Sequence, residues 1–323
     1  MCADRAIKWT LSIATTLALA CNAYAQSYPT QFVRIVLPFA PGGGADSVTR
    51  TVAQKLAGAL GQPVIVDNRP GASGNIGIRV VAKAAPDGYT LLAMSSNFAI
   101  NPSIYSNAGY DPIKDFEPVA QLDSYMLFLV CHPSLPVRSV KALIALAKDQ
   151  RGKLSYASGG VATAGHLAAE MFNAAVGIRM THVPYKGTGP AIYDTLGGHV
   201  PIIFGVPEVV PHVKEGRLAI LAVTGAARSA ALPDVPTIAE SGVPGFAFTS
   251  WHAIFAPAGT PAAVVKRLNE EIRKVVTQPD IKDLLKNQGL ELTTGTPQDL
   301  SSLVKATFVT SGKVIKDAQI KVE

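Results

Sequence analysis

Residues 34–56 read RIVLPFAPGGGADSVTRTVAQKL. The apolar run Val33–Leu37 fits a buried strand. Gly42, Gly43 and Gly44 follow it, and then Val48, Val52, Leu56 and Leu60 recur every fourth residue, on one face of a helix predicted over Asp46–Leu60 and closed by Gly61. Strand, glycine turn and helix in immediate succession form the unit from which α/β sheets are built. The unit also has chemistry. The first turn of a helix leaves backbone N–H groups without partners, and the macrodipole adds partial positive charge there. Glycines let a ligand come close to that backbone, so the turn reads as a main-chain cradle for an anion.

The pattern continues. Strands are expected at Val64–Val66, Tyr89–Met94, Leu154–Ala157, Thr181–Val183, Ile202–Phe204 and Ala219–Thr224. Helices are expected at Ser139–Ala147 and at Gly165–Val176, the latter closed by Gly177. Asn68–Gly77 is rich in turn residues. Alternation of this kind predicts parallel sheets with helices on both faces. The last third turns helical over Pro261–Val276, Asp280–Gln288 and Pro297–Lys316, each with a proline near its start. A loose duplication runs through the whole: Leu154–Ala157, the turn Ser158-Gly159-Gly160 and the helix carrying His166, Leu167 and Met171 repeat the opening unit. Two such strand ends facing each other across a cleft would grip an anion from both sides.

Arg5 and Lys8 precede a short apolar stretch, Trp9–Ala20, and Ala23-Tyr24-Ala25 suits cleavage, so residues 1–25 read as an export signal. Cys21 after Leu19-Ala20 leaves a lipoprotein alternative. Of three cysteines, Cys2 and Cys21 leave with that leader; Cys131 remains, read as a buried thiol. The full chain carries 29 Lys and Arg against 23 Asp and Glu; without Asp4, Arg5 and Lys8 the balance is 27 to 22. These basic residues are scattered, which argues against nucleic acid as a partner. A 48% hydrophobic and 16% charged composition belongs to a compact, two-domain chain.

Other chemistries fit poorly. The glycine loop lacks the Lys-Ser/Thr of a P-loop and the spacing of a dinucleotide fingerprint. Asp46 reads alternatively as the helix N-cap. Ser158 or Thr163 with His166 would make a hydrolase, but Tyr156–Gly160 is no nucleophile elbow. Histidines 132, 166, 182, 199, 212 and 252 show no metal-ligand spacing, so no metal is expected. Ser95-Ser96-Asn97 at the end of a strand suits a ligand wall or a turn; Arg69-Pro70-Gly71 and Asn75 are turn chemistry with a binding role open. Lys186 after Tyr185 reads as a ligand-facing or a solvated cation, and Trp251 as a cleft wall or as core.

Taken in order, YPTQFVRIVLPFAPGGGADSVTR, VIVDNRPGASGNIGI, APDGYTLL, SYASGGVATAGHLAAEMF, HVPYKGTGPAIYDTLGGHV, LAVTGAARSAALPDVPTIAESGVPGF and FAPAGTPAAVVKRLN resemble the Bug family, the extracytoplasmic solute receptors of tripartite tricarboxylate transporters. The resemblance implies a type II periplasmic-binding-protein fold: two doubly wound α/β lobes with a central ligand cleft. Lobe 1 would be 27–123 plus 250–323 and lobe 2 would be 124–249, with crossings near Gln121–Tyr125 and Gly245–Ser250. It implies a monomeric periplasmic protein that captures a small carboxylate by hinge closure and passes it to membrane permease subunits. It implies no catalysis and no cofactor. A sensor-kinase ectodomain reading the same closure is the alternative. Carried onto this chain, the binding residues would be Phe39, Gly43, Gly44, Ala45 and Asp46 in the first loop, then Ser158, Gly160, Thr163, Ala164 and His166 in the second. Ser95, Ser96 and Asn97 would form a third wall, with Tyr185 and Phe204 beside it. One departure stands out. The run Phe204-Gly205-Val206-Pro207 lacks the polar residue often found there, and Glu208 comes later. The far end of a ligand is therefore expected to meet an apolar surface.

Overall fold

The computed structural model describes residues 28–150, 152–317 and 320. The expected leader, its cleavage site and Cys21 lie outside them. β1 (Val33–Leu37) leads into α1 (Gly44–Leu60), which ends on Gly61 at φ 68°. The helix starts two residues earlier than its apolar pattern predicts, because Gly43, in extended conformation, is the N-cap. Asp46 therefore sits inside the first turn and is not the cap. β2 (Val64–Asn68), α2 (Asn75–Ala82), β3 (Thr90–Ser95) and the single turn α3 (Asn97–Ile100) follow. A long strand, β4 (Phe116–Met126), then passes into β5 (Phe128–Cys131).

The second half repeats the plan with α4 (Val140–Gln150), β6 (Ser155–Ser158), α5 (Ala164–Val176), β7 (Thr181–Pro184), α6 (Thr188–Leu196), β8 (Ile202–Gly205), α7 (Val210–Lys214) and β9 (Ala219–Val223). β10 (Thr249–Pro257) returns to the first sheet. There α8 (Ala262–Val276), α9 (Pro279–Asn287), β11 (Glu291–Leu292) and α10 (Pro297–Asp317) complete the chain.

Two sheets result, one per lobe. The first has the order β11-β4-β10-β3-β1-β2 and the second β7-β6-β8-β5-β9. In each, the strand that feeds a glycine loop, β1 or β6, lies between two parallel neighbours. The duplication is thus real at the level of topology. The expectation of parallel sheets needs correction: β4, β5, β10 and β11 all pair antiparallel, so both sheets are mixed.

β1 is buried on both faces. Ile35 packs with Leu91, Ile254, Leu268 and Ile272 on one side. Val36 packs with Leu92, Phe98 and Phe255 on the other. The second sheet does the same, with Leu129, Tyr156, Phe172 and Phe204 on one face and Phe128, Ala157 and Ile203 on the other. Trp251 is core, 2% exposed, and its indole N–H donates to Thr307 Oγ1 at 3.3 Å. Cys131 is a buried free thiol, and burial pushes its pKa up to about 11 against a smaller opposing pull from Arg138.

The two crossings lie side by side. β4 and β10 pair from Phe116↔Pro257 to Met126↔Thr249. Thr224, fully buried, ties both at the lobe boundary: its hydroxyl donates to the Phe248 carbonyl at 2.8 Å and accepts from the Leu127 amide at 2.8 Å. Between the strands His252 Nδ1 lies 2.8 Å from the fully buried carboxylate of Asp123, and its ring stacks on Tyr125 at 5.0 Å. Burial works against a charged His252. The Asp123 carboxylate, by charge and by hydrogen bond, outweighs it with help from Glu208, so the ring's pKa is raised.

Candidate functional site

The first glycine loop leaves the carboxyl end of β1 and enters α1. Gly42 takes φ 92°, a left-handed conformation glycine adopts at little cost. Its amide donates to Asp46 Oδ2 at 3.0 Å. The same carboxylate, 5% exposed, accepts from Arg50 Nε at 3.0 Å and Asn68 Nδ2 at 2.9 Å. Burial alone would raise the Asp46 pKa; hydrogen bonds from Arg50, Asn68 and Gly42 and the Arg50 charge hold it below the usual value. Asp46 is thus a brace that fixes the loop from beneath, its charge already matched. Phe39 is half-buried, and its carbonyl accepts from Asn68 Nδ2 at 3.0 Å. A Cβ on Gly43 would meet nothing within 4 Å. Ala45 follows within the first turn of α1, where the amides have no partner inside the helix.

One of those amides is occupied. Gly44 N–H donates to Glu208 Oε1 at 3.2 Å. Glu208 lies beyond β8 in the other lobe, on the short 3-10 turn Pro207–Val209. Glu208, just after the apolar run Phe204–Pro207, therefore brings a carboxylate to the first loop.

The second loop leaves β6 and enters α5, whose N-cap is Thr163 in extended conformation. Thr163 Oγ1 donates to the Gly160 carbonyl at 2.8 Å. Ser158, 1% exposed, lies 2.6 Å from His182 Nε2 and accepts from the Gly160 amide at 3.1 Å. Ala162 takes φ 68°, which costs a non-glycine residue on the order of 1 kcal/mol. Its amide donates to His166 Nδ1 at 3.1 Å, so that nitrogen carries no proton. Ala164 is buried behind the cap. Gly160, at φ 129°, and Gly165 leave no room for a side chain: a Cβ would come within 3.1 Å of the Tyr185 carbonyl and 2.8 Å of the Phe204 carbonyl respectively.

His166 and His182 stack at 3.9 Å and 7°, with Tyr156 next in the pile. Burial, and then the His182 charge, push the His166 pKa down to about 3; burial pushes His182 down to about 4. Both rings are neutral at physiological pH. The hydrolase arrangement is corrected on two counts: the histidine beside Ser158 is His182, and His166 is committed to the Ala162 amide. His182 carried no local signal in the sequence, because it lies on the neighbouring strand 24 residues on.

The third wall behaves differently. Asn97 Nδ2 donates across the cleft to the Ala162 carbonyl at 3.2 Å, while Ser95 Oγ donates to Asn97 Oδ1 at 3.3 Å. Ser96 Oγ bonds Ser250 Oγ of β10 at 2.7 Å. Ser73, inside the turn-rich segment, bonds Tyr105 at 2.6 Å and lies 3.5 Å from the Val161 carbonyl. Tyr185 donates its hydroxyl to Asp194, and its pKa is pushed up to about 12 by burial, that hydrogen bond and the Asp194 charge. Phe204, 1% exposed, is core, its ring against Phe172 of α5 and its carbonyl facing Gly165 at the start of that helix. Asn75 is buried and accepts from Asn101 at 2.8 Å, Arg69 pairs with Asp67 at 3.0 Å, and Lys186 is exposed.

The first glycine loop thus meets the turn after β8 through Gly44–Glu208, and the second meets the end of β3 through Asn97–Ala162. Residues 48–320 match the description "Tripartite tricarboxylate transporter family receptor". The chain belongs to the Bug family of these receptors. BugT of Bordetella pertussis is 35% identical over 311 residues, 95% of each chain. The solved structure of R. palustris Rpa4515 with adipate matches at a TM-score of 0.86 and 37% identity, covering 91% of this chain and 99% of that one. MatC of Rhodopseudomonas palustris with bound malate matches at a TM-score of 0.82 and 30% identity, covering 89% of this chain and 100% of that one. The fold of this Bug receptor is accordingly that of a periplasmic binding protein.

Proposed function

We propose that this Bug receptor captures a small organic carboxylate between its two glycine loops and hands it to the membrane subunits of a tripartite transporter. The observation that carries the reading is the Gly44 amide, which already donates to a carboxylate from the other lobe at 3.2 Å. That bond supports an anion-accepting role for the first loop. Two related receptors with adipate and malate bound support the ligand class. In this reading Gly43, Gly44, Ala45, Gly160, Thr163 and Ala164 supply main-chain and hydroxyl contacts. Asp46, Ser158 and His166 hold the loops in shape, and Asn97 closes the cleft.

The reading includes a monomeric periplasmic protein processed near Ala25, with lobes exchanging at 123/124 and 249/250, and no chemistry on the ligand. Closure follows from the ligand's greater affinity for the closed state. Among the described residues, no helix is long and apolar enough to cross a membrane. The test is calorimetric titration of the mature protein, stripped of copurified ligand, with mono-, di- and tricarboxylates and acidic amino acids. Binding of at least one is expected; silence from all of them overturns the reading.

A further inference from the structure

We propose that Glu208 is a built-in surrogate ligand: in the empty receptor its carboxylate holds the Gly44 amide, draws the lobes together and has to leave before a ligand carboxylate takes that amide. The proposal rests on the carboxylate reading above and deepens it. Glu208 sits on the second lobe and Gly44 on the first, so their hydrogen bond spans the cleft. The acceptor is charged, and the donor is the first residue of a 17-residue helix, where the macrodipole favours an anion. A backbone amide has one hydrogen, so two carboxylates compete for it. The fit is close: a Cβ on Gly44 would stand 2.8 Å from Glu208 Oε1. Tyr125 and His252, on the crossing strands, both feel the Glu208 charge.

Glu208 can also leave. It is exposed, it sits on a three-residue turn, and the Gly44 amide is its only hydrogen-bond partner among the described residues. Were it to stay, a ligand's negative charge would meet a like charge a few ångströms away. Glu208 therefore sets a threshold: a weak anion fails to displace it, and a good one exchanges carboxylate for carboxylate with the lobes already near. Asn97–Ala162 and the packing of Gly289 on Pro207 supply the uncharged part of closure.

The experiment pairs small-angle scattering of the ligand-free mature protein with calorimetry, using adipate and malate as probes, on wild type, Glu208→Ala and Glu208→Gln. Empty Glu208→Ala is expected to have a larger radius of gyration than empty wild type, with the difference closed by saturating ligand. Its probe affinity is expected to be about 1.5-fold to fivefold higher, the range for losing one exposed charged contact. Glu208→Gln, which keeps an acceptor oxygen without the charge, is expected in between. An empty Glu208→Ala as compact as wild type overturns the proposal. So does weaker probe binding by that variant, which would make Glu208 a ligand contact. Expansion of the empty variant, with wild type binding no carboxylate in the panel, keeps the latch and overturns the carboxylate reading instead.

Discussion

Gly165→Ala is the sharpest single test of how the second loop is held. Gly165 is the second residue of α5, and a Cβ there would lie 2.8 Å from the Phe204 carbonyl oxygen. Ordinary contact begins at 3.4 Å, so something has to yield by about 0.6 Å. Phe204 is badly placed to yield: its backbone pairs with Leu129, its neighbour Ile203 pairs with Ala157, and its ring is 1% exposed. The start of α5 moves instead, and with it Thr163, Ala162 and the carbonyl that Asn97 holds. Overpacking of this kind costs about 1–3 kcal/mol. Alanine returns up to about 1 kcal/mol through helix propensity. The net loss is about 1 kcal/mol, a fall in Tm of about 2–4 °C for a chain of this size. Carboxylate affinity is expected to fall by about tenfold or more, since the loop itself is displaced. Gly58→Ala is the control. It lies inside α1 with nothing within 4 Å of the added Cβ, and it is expected to raise Tm. If Gly165→Ala melts with or above wild type and binds a carboxylate equally well, the keying of α5 to β8 is wrong.

Gly43→Ala separates binding from folding. The position is extended and its Cβ meets only open space, so the loss is that of an alanine N-cap, about 1 kcal/mol or a fall in Tm of about 2–4 °C, while carboxylate affinity is expected to drop further than that; unchanged affinity would move the site elsewhere. The histidine stack makes the receptor acid-labile. His166 and His182 titrate near 3 and 4 in the fold against 6.5 in the open chain, so the unfolded state binds more protons across that window. Stability is complete above pH 6.5 and falls on acidification by up to about 1.4 kcal/mol per pH unit for buried His166, less for half-buried His182. Urea melts from pH 7 to 4.5 measure this, and a flat profile refutes it. The His252–Asp123 pair has the opposite sign. Its contribution is present below the ordinary histidine value and is lost as pH rises through the raised one, so Asp123→Asn is expected to cost about 1–3 kcal/mol at pH 5.5 and measurably less at pH 9. An equal cost at both pH values would mean that His252 is neutral throughout.

The elements that read clearly in the sequence are those whose burial repeats with a period. α1 showed itself through Val48, Val52, Leu56 and Leu60, all buried on one face, and β1 through four apolar residues, Val33, Ile35, Val36 and Leu37, buried on both sides. The glycine loops were legible for a related reason, since a glycine at φ 92° or 129° announces a turn that other residues avoid. β4 and β10, which carry the chain between the lobes, were not assigned as strands. β4 reads FEPVAQLDSYM, with Glu117, Pro118 and Asp123 interrupting any run, and β10 shifts register twice, at His252/Ala253 and Ile254/Phe255. A shift of that kind breaks the period of two on which strand reading depends. Long-range partners were invisible for a different reason. Gly44 and Glu208 are 164 residues apart, Asn97 and Ala162 are 65 apart, and nothing local marks either bond. The local signal marked both glycine turns, but only the fold brings Glu208 to the first of them. The same loop that reads in the sequence as an anion cradle holds, in the folded chain, a carboxylate of its own. Under the latch proposal, affinity is a difference between two carboxylates on one amide, which is why a change at Glu208, outside both loops, is expected to move it.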